Sequence, residues 1–386
     1  MNGFRYIPDP GDGSGIALAL TQPNGPGDIW VRPGTYTKTQ ARFIIPPNVR
    51  VWGSGRTTVI VASAIDNTIW QVGDRAELAW MYNTHPGPLA GVGTEVIRCL
   101  ASVTCVHDLV VDASAPSAGG ILVAGIAYSG IGGGGPTFSS LYNNVLVGPQ
   151  QGTGVFNPAT MYANVRGLPL SQNDTVVVDA QSNTMIAGDA GIVGLGVPGG
   201  QAPAQGVSFV VGRAFIIGPA VVGFYNDYSP LLVSTGPSVV LCFAPTVVAG
   251  AIVLNTFQYE FGSTLILNLT DQGQGPVTVP GIVVSEPVPV PGTLPTSVNI
   301  HECTLLFWGD PNDPQVPQVL LGQAAELVAS AHVANNRFVS NPSVTPILFG
   351  AGCTASIAVL NTSQGSGGTL PVDIGAGNEI AHNIWT

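Results

Sequence analysis

Between Gly27 and Val61 the chain reads GDIWVRPGTYTKTQARFIIPPNVRVWGSGRTTVIV, a succession of short β-type runs whose turns lie too close together for a helix to fit between them. Asp28 to Val31 is closed by Arg32-Pro33-Gly34, Phe43 to Ile45 by Pro46-Pro47-Asn48, and Val49 to Trp52 by Gly53-Ser54-Gly55. Thr57 to Val61 is β-branched at every position, as a strand on a pleated, half-buried surface prefers. Glycine supplies positive φ and proline fixes φ near −65°, so each break is a committed turn. The two-residue Asn-Gly or Asp-Gly connections of a hairpin meander are absent, which leaves a coiled arrangement of short strands.

The same residues resemble the N-terminal part of pectate-lyase-like right-handed β-helices. There a small helix caps the coil and leads into a V-x-P-G-T-Y turn and then a V-x-G-x-G-x-T-x-I rung. In this chain those elements are Ile16 to Leu20, Val31-Arg32-Pro33-Gly34-Thr35-Tyr36, and Val51 to Ile60, with Asp12-Gly13-Ser14-Gly15 as the polar N-cap of the helix. The resemblance is specific over about the first 60 residues. It implies an all-β, right-handed parallel β-helix of the kind found in polysaccharide lyases, glycoside hydrolases, and phage tailspikes and fibres.

Later runs fit that reading. Val103 to Ala113, Asn143 to Val147, Asp174 to Ala180, Val207 to Val211, Val239 to Phe243 and Ser263 to Leu269 recur at intervals that suit one coil per repeat. They are nearly continuously apolar, as strands covered on both faces would be. The expected organisation is an arm and cap over 1–26, a β-helix over 27–284, a proline-rich linker over 285–298, and a β-rich segment over 299–386. An Asn-rich corner at Asn335-Asn336 is expected to stack on neighbouring coils. Gln318 to Ala334 carries the leucine and alanine spacing of a second helix, with strand and turn as the competing reading.

Charge sets limits on partners. Only 9% of the residues are charged and the net charge is −11, so eleven dispersed cations cannot form a phosphate-neutralising stripe. Nucleic acid and anionic membrane surfaces are excluded on that ground. The scarcity of charge leaves surface for other chains to cover, and a homotrimer packed against other virion proteins is expected. Val288, Val290 and Leu294, in the proline-rich segment, are the candidate interface residues. The start, Met1 to Pro8, lacks the basic and apolar regions of a signal peptide, which points to a virion component made in a host cytoplasm.

Catalytic chemistry is sparse. Lys38 is the single lysine, and no phosphate-binding loop, Gly-x-Ser-x-Gly or His-Glu-x-x-His occurs. The five cysteines show no zinc spacing, so neither metal nor cofactor is expected. The candidate catalytic carboxylates are Asp108 with Asp112, beside His107, and Asp174 with Asp179. Even spacing puts the first pair on one face of a regular strand but about 13 Å apart, too far for either glycosidase geometry. The six tryptophans are scattered in sequence and read as core or interface residues. The preferred reading is a non-enzymatic bacteriophage virion protein, a decoration, fibre or spike subunit. Its alternative is a tailspike depolymerase, a lyase or glycoside hydrolase acting on host surface polysaccharide.

Overall fold

The computed structural model of the protein describes residues 5–7, 10–21, 27–39, 41–62, 66–85, 94–100, 103–114, 124–129, 136–148, 162–167, 175–196, 206–219, 221–227, 231–243, 247, 249–254, 258–268, 280–285, 296–307, 317–322, 328–340, 344–364 and 370–385. They form a right-handed parallel β-helix. Every pairing between named strands is parallel, including those through Val51, Val106 and Val177. One face is a sheet of 12 strands, one per coil, from Phe43–Ile45 to Val372–Asp373. The other two faces are ladders within a 26-stranded sheet, joined because Arg50–Val61 and Ala76–Thr84 each run across both. The helix Ser14–Thr21 packs Ile16 and Leu20 over the first coil, and the Asp12 carboxylate accepts a hydrogen bond from the Ser14 amide.

The interior is built from columns of like residues. On the first face Ile29, Val51, Leu78, Val106, Leu141, Ala180 and Val211 lie in successive register. On the second, Val111, Leu146, Met185, Ile216, Val240, Ile266, Leu305 and Phe338 do the same. All of these are buried, and each large aliphatic side chain contributes roughly 1.5–3 kcal/mol of transfer free energy. The near-continuous apolar runs have a second cause on the third face. Val193, Tyr225 and Ile252 alternate with core residues, so they point outward, yet they are buried in a separate apolar cluster.

The corner between the first and second faces is sharp. Ten non-glycine residues occupy it with positive φ: Trp80, Asp108, Asn143, Ser182, Arg213, Ser263, Glu302, Asn335, Leu360 and His382. The residue that follows each points inward, where asparagine satisfies the backbone of the coil before it. Asn336 accepts from the Cys303 amide and donates to the Ile300 carbonyl and to Asn361 Oδ1. Asn361 repeats the pattern with Val333 and Asn383. Asn144 and Asn183 make the same ladder further up the coil. The expected corner at Asn335-Asn336 is thus part of a repeated device.

A helix over Gln318 to Ala334 does not form. Val319–Leu321 and Val328–Ala334 are strands of the third and first faces, with Val319, Leu321, Val328 and Val333 buried. A helix there would leave Ile282–Ser285 and Ile347–Phe349 without the parallel neighbour they share. The parallel ladders run on through 296–307 and 328–340 to Ile384–Trp385. Val288, Val290 and Leu294 lie outside the described residues.

Glycines mark where the interior is narrowest. A Cβ on Gly223 would sit 2.6 Å from both the Gly250 carbonyl oxygen and Val240 Cγ1, and Gly191 and Gly250 are crowded in the same way by Ile216 and Ile266. Gly223→Ala is expected to lower stability by about 1–3 kcal/mol through overpacking. Asn336→Ala is expected to cost a similar ~1–3 kcal/mol by orphaning the Cys303 amide. Urea denaturation of each variant against the parent checks both.

Candidate functional site

The register that stacks the core also stacks what points outward from the first face. Trp30 pairs with Trp52, Trp52 with Ala79, Ala79 with His107, and His107 with Tyr142. The small Ala79 would leave a gap, but Trp80 at the adjoining corner fills it. Its ring lies 5.6 Å from Trp52, 6.4 Å from Trp30 and 6.0 Å from His107. The His107 and Tyr142 rings stack at 4.5 Å with 8° between planes. Five aromatic rings from five successive coils therefore form one contiguous shelf, in which Trp30, Trp52 and Trp80 lie mutually within 6.4 Å and Trp80 leads on through His107 to Tyr142.

Trp80 reaches this place through an unusual backbone. Its φ of 57° is uncommon for a bulky side chain and costs on the order of 1–3 kcal/mol. Gly53 makes room for it, since a Cβ there would lie 2.3 Å from the Trp80 carbonyl oxygen. Trp80 remains 38% exposed, so its packing against Trp30, Trp52 and His107 offsets that cost only in part.

Polar groups underpin the shelf. Glu77, two residues before Ala79, accepts a hydrogen bond from the Trp52 indole N–H. Its Oε1 lies 3.1 Å from His107 Nε2, while His107 Nδ1 lies 2.7 Å from Asp108 Oδ2. The imidazole thus bridges the two carboxylates. Arg50 stands 4.9 Å over the Trp52 ring and is tied at two points to Asp28. Burial and the neighbouring Cys105 push the Tyr142 hydroxyl up to about 12, so it remains a neutral phenol.

The sequence candidates are dispersed on this frame. Asp108 occupies the corner rather than a strand, so it does not share a strand face with Asp112. Asp112 lies on the second face, accepting from the Tyr82 hydroxyl and from Ser114. Burial raises its pKa, but the Ser114 and Tyr82 hydrogen bonds outweigh that and hold it below the usual carboxylate range. Asp179 is exposed on the first face in the column that contains Glu77, Cys105 and Ser140, and it accepts from Gln181. Asp174 lies outside the described residues. Sequence reasoning missed Glu77 and the clustering of Trp30, Trp52 and Trp80. Aromatics at intervals of 22, 28, 27 and 35 residues, each about one coil, were the available signal.

No group of three or more His, Cys, Asp or Glu suited to a metal ion occurs among the described residues. No helix among them is long and apolar enough to cross a membrane.

No protein-family model matches the chain, and no curated protein does so either. Among solved structures it is similar to tailspike protein 3 of bacteriophage CBA120, with a TM-score of 0.55 at 9% identity over 96% of this chain and 58% of the tailspike. It is similar also to PfbA, a surface adhesin of Streptococcus pneumoniae, with a TM-score of 0.55 at 10% identity over 97% of this chain and 88% of the adhesin. The likeness is one of fold. The chain spans little more than half the length of the tailspike.

Lys38 is fully buried, its ammonium donating to the Asp66 and Thr68 carbonyls at 2.8 and 2.6 Å. Desolvation lowers its pKa from 10.5 to about 8, against the opposing pull of Asp66. Between those values the unfolded chain holds a proton that the folded chain has lost, so this group makes stability rise with pH across that window. Denaturation of the parent and of Lys38→Met at pH 7.5 and pH 10 checks this. The parent is expected to gain stability relative to the variant at the higher pH.

Proposed function

We propose that the protein is a non-enzymatic β-helical subunit of a bacteriophage virion, of tailspike or fibre type, whose aromatic shelf holds a polysaccharide of the host surface. The shelf carries this reading. Trp30, Trp52, Trp80 and Tyr142 are at least partly exposed on one outward face, a supply of aromatic surface on which the apolar faces of pyranose rings can lie while their hydroxyls meet the polar groups beside them. The fold shared with a phage tailspike and a bacterial adhesin is consistent with a surface-contacting role, and by itself assigns none.

Binding without cleavage is favoured by the carboxylates. A glycosidase holds an acid and a base or nucleophile across the scissile bond, with a gap of ~5–10 Å for water or sugar. Glu77 and Asp108 flank a gap that the His107 ring fills. Assembly as a homotrimer, with other virion proteins as further partners, belongs to the same proposal. Leu360, Leu370, Ile374 and Ile384 in the last coils are each more than half exposed, a supply of apolar surface for self-association.

Affinity electrophoresis in gels cast with surface polysaccharides tests the binding. Trp52→Ala is expected to weaken retardation by up to about tenfold, from the ~0.5–1.5 kcal/mol a stacked aromatic contributes. Trp80→Asn is expected to weaken it too while raising the melting temperature, because asparagine accepts positive φ and tryptophan does not. Release of reducing or unsaturated ends by the parent would instead favour the depolymerase.

A further inference from the structure

The ladders that stack the core also stack the outward side of the second face. Two outward columns run along it through six coils, one from Val145 to Thr304 and the other from Val147 to Leu306. Of these twelve positions ten are apolar, Phe215, Ile217, Leu241, Leu265 and Leu267 among them, and the other two are Thr184 and Thr304. None is buried, and Phe215 is 42% exposed. Charge is confined to the rim. Asp112 ends the strip in the coil before and Arg337 in the coil after, while Arg213 and Glu302 stand on the adjoining corner. An apolar centre with charge at its edge is the anatomy of a protein–protein interface.

The other two faces differ. Over the same coils the outward columns of the first face carry Asp179, Glu260 and His301, and on the third face the outward Val193, Tyr225 and Ile252 are already buried. From this we infer that copies of this chain associate side by side through their second faces, which rests on the self-association proposed above and supplies its surface. What fits a flat surface ridged at ~4.8 Å by aliphatic side chains is a second surface ridged in the same way, and another copy brings one. Sheet faces packed so lie ~10 Å apart with their side chains interdigitated. The columns, roughly 7 Å apart, form a strip narrow enough for three copies to turn toward one axis, which closes the assembly. Six coils of strip amount to roughly 400 Å², about half of the ~800 Å² that each partner gives to a stable interface. Two further residues extend it toward the terminal coils already offered for self-association. Phe243, two residues after Leu241, is 39% exposed, and Ile384, at the far end of the column that holds Val145, is 61% exposed.

Analytical ultracentrifugation of the full chain at micromolar concentration, with circular dichroism as the check on folding, tests this surface. The parent is expected to sediment as a trimer. Leu241→Lys combined with Leu265→Lys puts two charges into the strip without touching the core, and is expected to sediment as a monomer with an unchanged spectrum. Thr235→Lys, exposed at the end of the first-face strand Leu231–Ser234, is expected to stay trimeric. Should the lysine pair unfold the chain, a thiol reads the same surface. With Cys105, the one native thiol that is not buried, replaced by serine, Leu265→Cys is expected to form disulfide-linked pairs of chains on oxidation with diamide, and Thr235→Cys is not. A parent oligomer that survives the lysine pair, or that dissociates equally with Thr235→Lys, would overturn the inference while leaving self-association standing. A dimer dissociated by the lysine pair alone would support the surface and replace the threefold axis by a twofold one. A parent that sediments as a monomer at every concentration would remove the self-association beneath it.

Discussion

The parallel ladder between successive coils is the constraint on which the rest of the molecule depends. Each coil contributes one strand to each face, and the register carries a residue directly over its counterpart in the coil before it. A register slip of one residue would turn a whole column from core to solvent. What fixes the register is the positive-φ corner between the first and second faces, together with the inward residue after it. Where that residue is asparagine, its amide locks onto the backbone of the preceding coil, so a buried polar group becomes a length gauge.

The aromatic shelf follows from the same constraint. A fixed register stacks outward residues as strictly as inward ones, so a site can be assembled from positions a coil apart without any loop being ordered for it. Trp80 departs from the regular column. The regular column position is Ala79, and the tryptophan comes from a corner whose backbone disfavours it.

The shelf also accounts for polar burial at this end of the molecule. His107 is only 6% exposed, yet both ring nitrogens face carboxylates, and Glu77 serves the Trp52 indole as well as the imidazole. The network holds the rings in place. Lys38 plays a different part. Its ammonium joins the end of the second-face strand Gly34–Thr37 to the carbonyls of Asp66 and Thr68, a crosslink at the capped end of the coil with no access for chemistry.

The sequence by itself determined the class of fold. Pro33-Gly34, Pro46-Pro47 and Gly53-Ser54-Gly55 are local signals, and they cut the first coils into strands with no help from distant residues. The capping helix at Ser14–Thr21 and the asparagine corner at 335–336 were legible for the same reason. Gln318 to Ala334 was not, because leucine and alanine suit a helix and only the strands on either side decide against it. The site was illegible in a stronger sense. Trp30, Trp52, Trp80, Glu77 and His107 meet only once the number of residues per coil is known, and the varying loops that set this number carry no periodic signal. The tertiary structure made that decision, since contact between residues a coil apart depends on the register of hydrogen bonds between strands and not on any property of the residues between them.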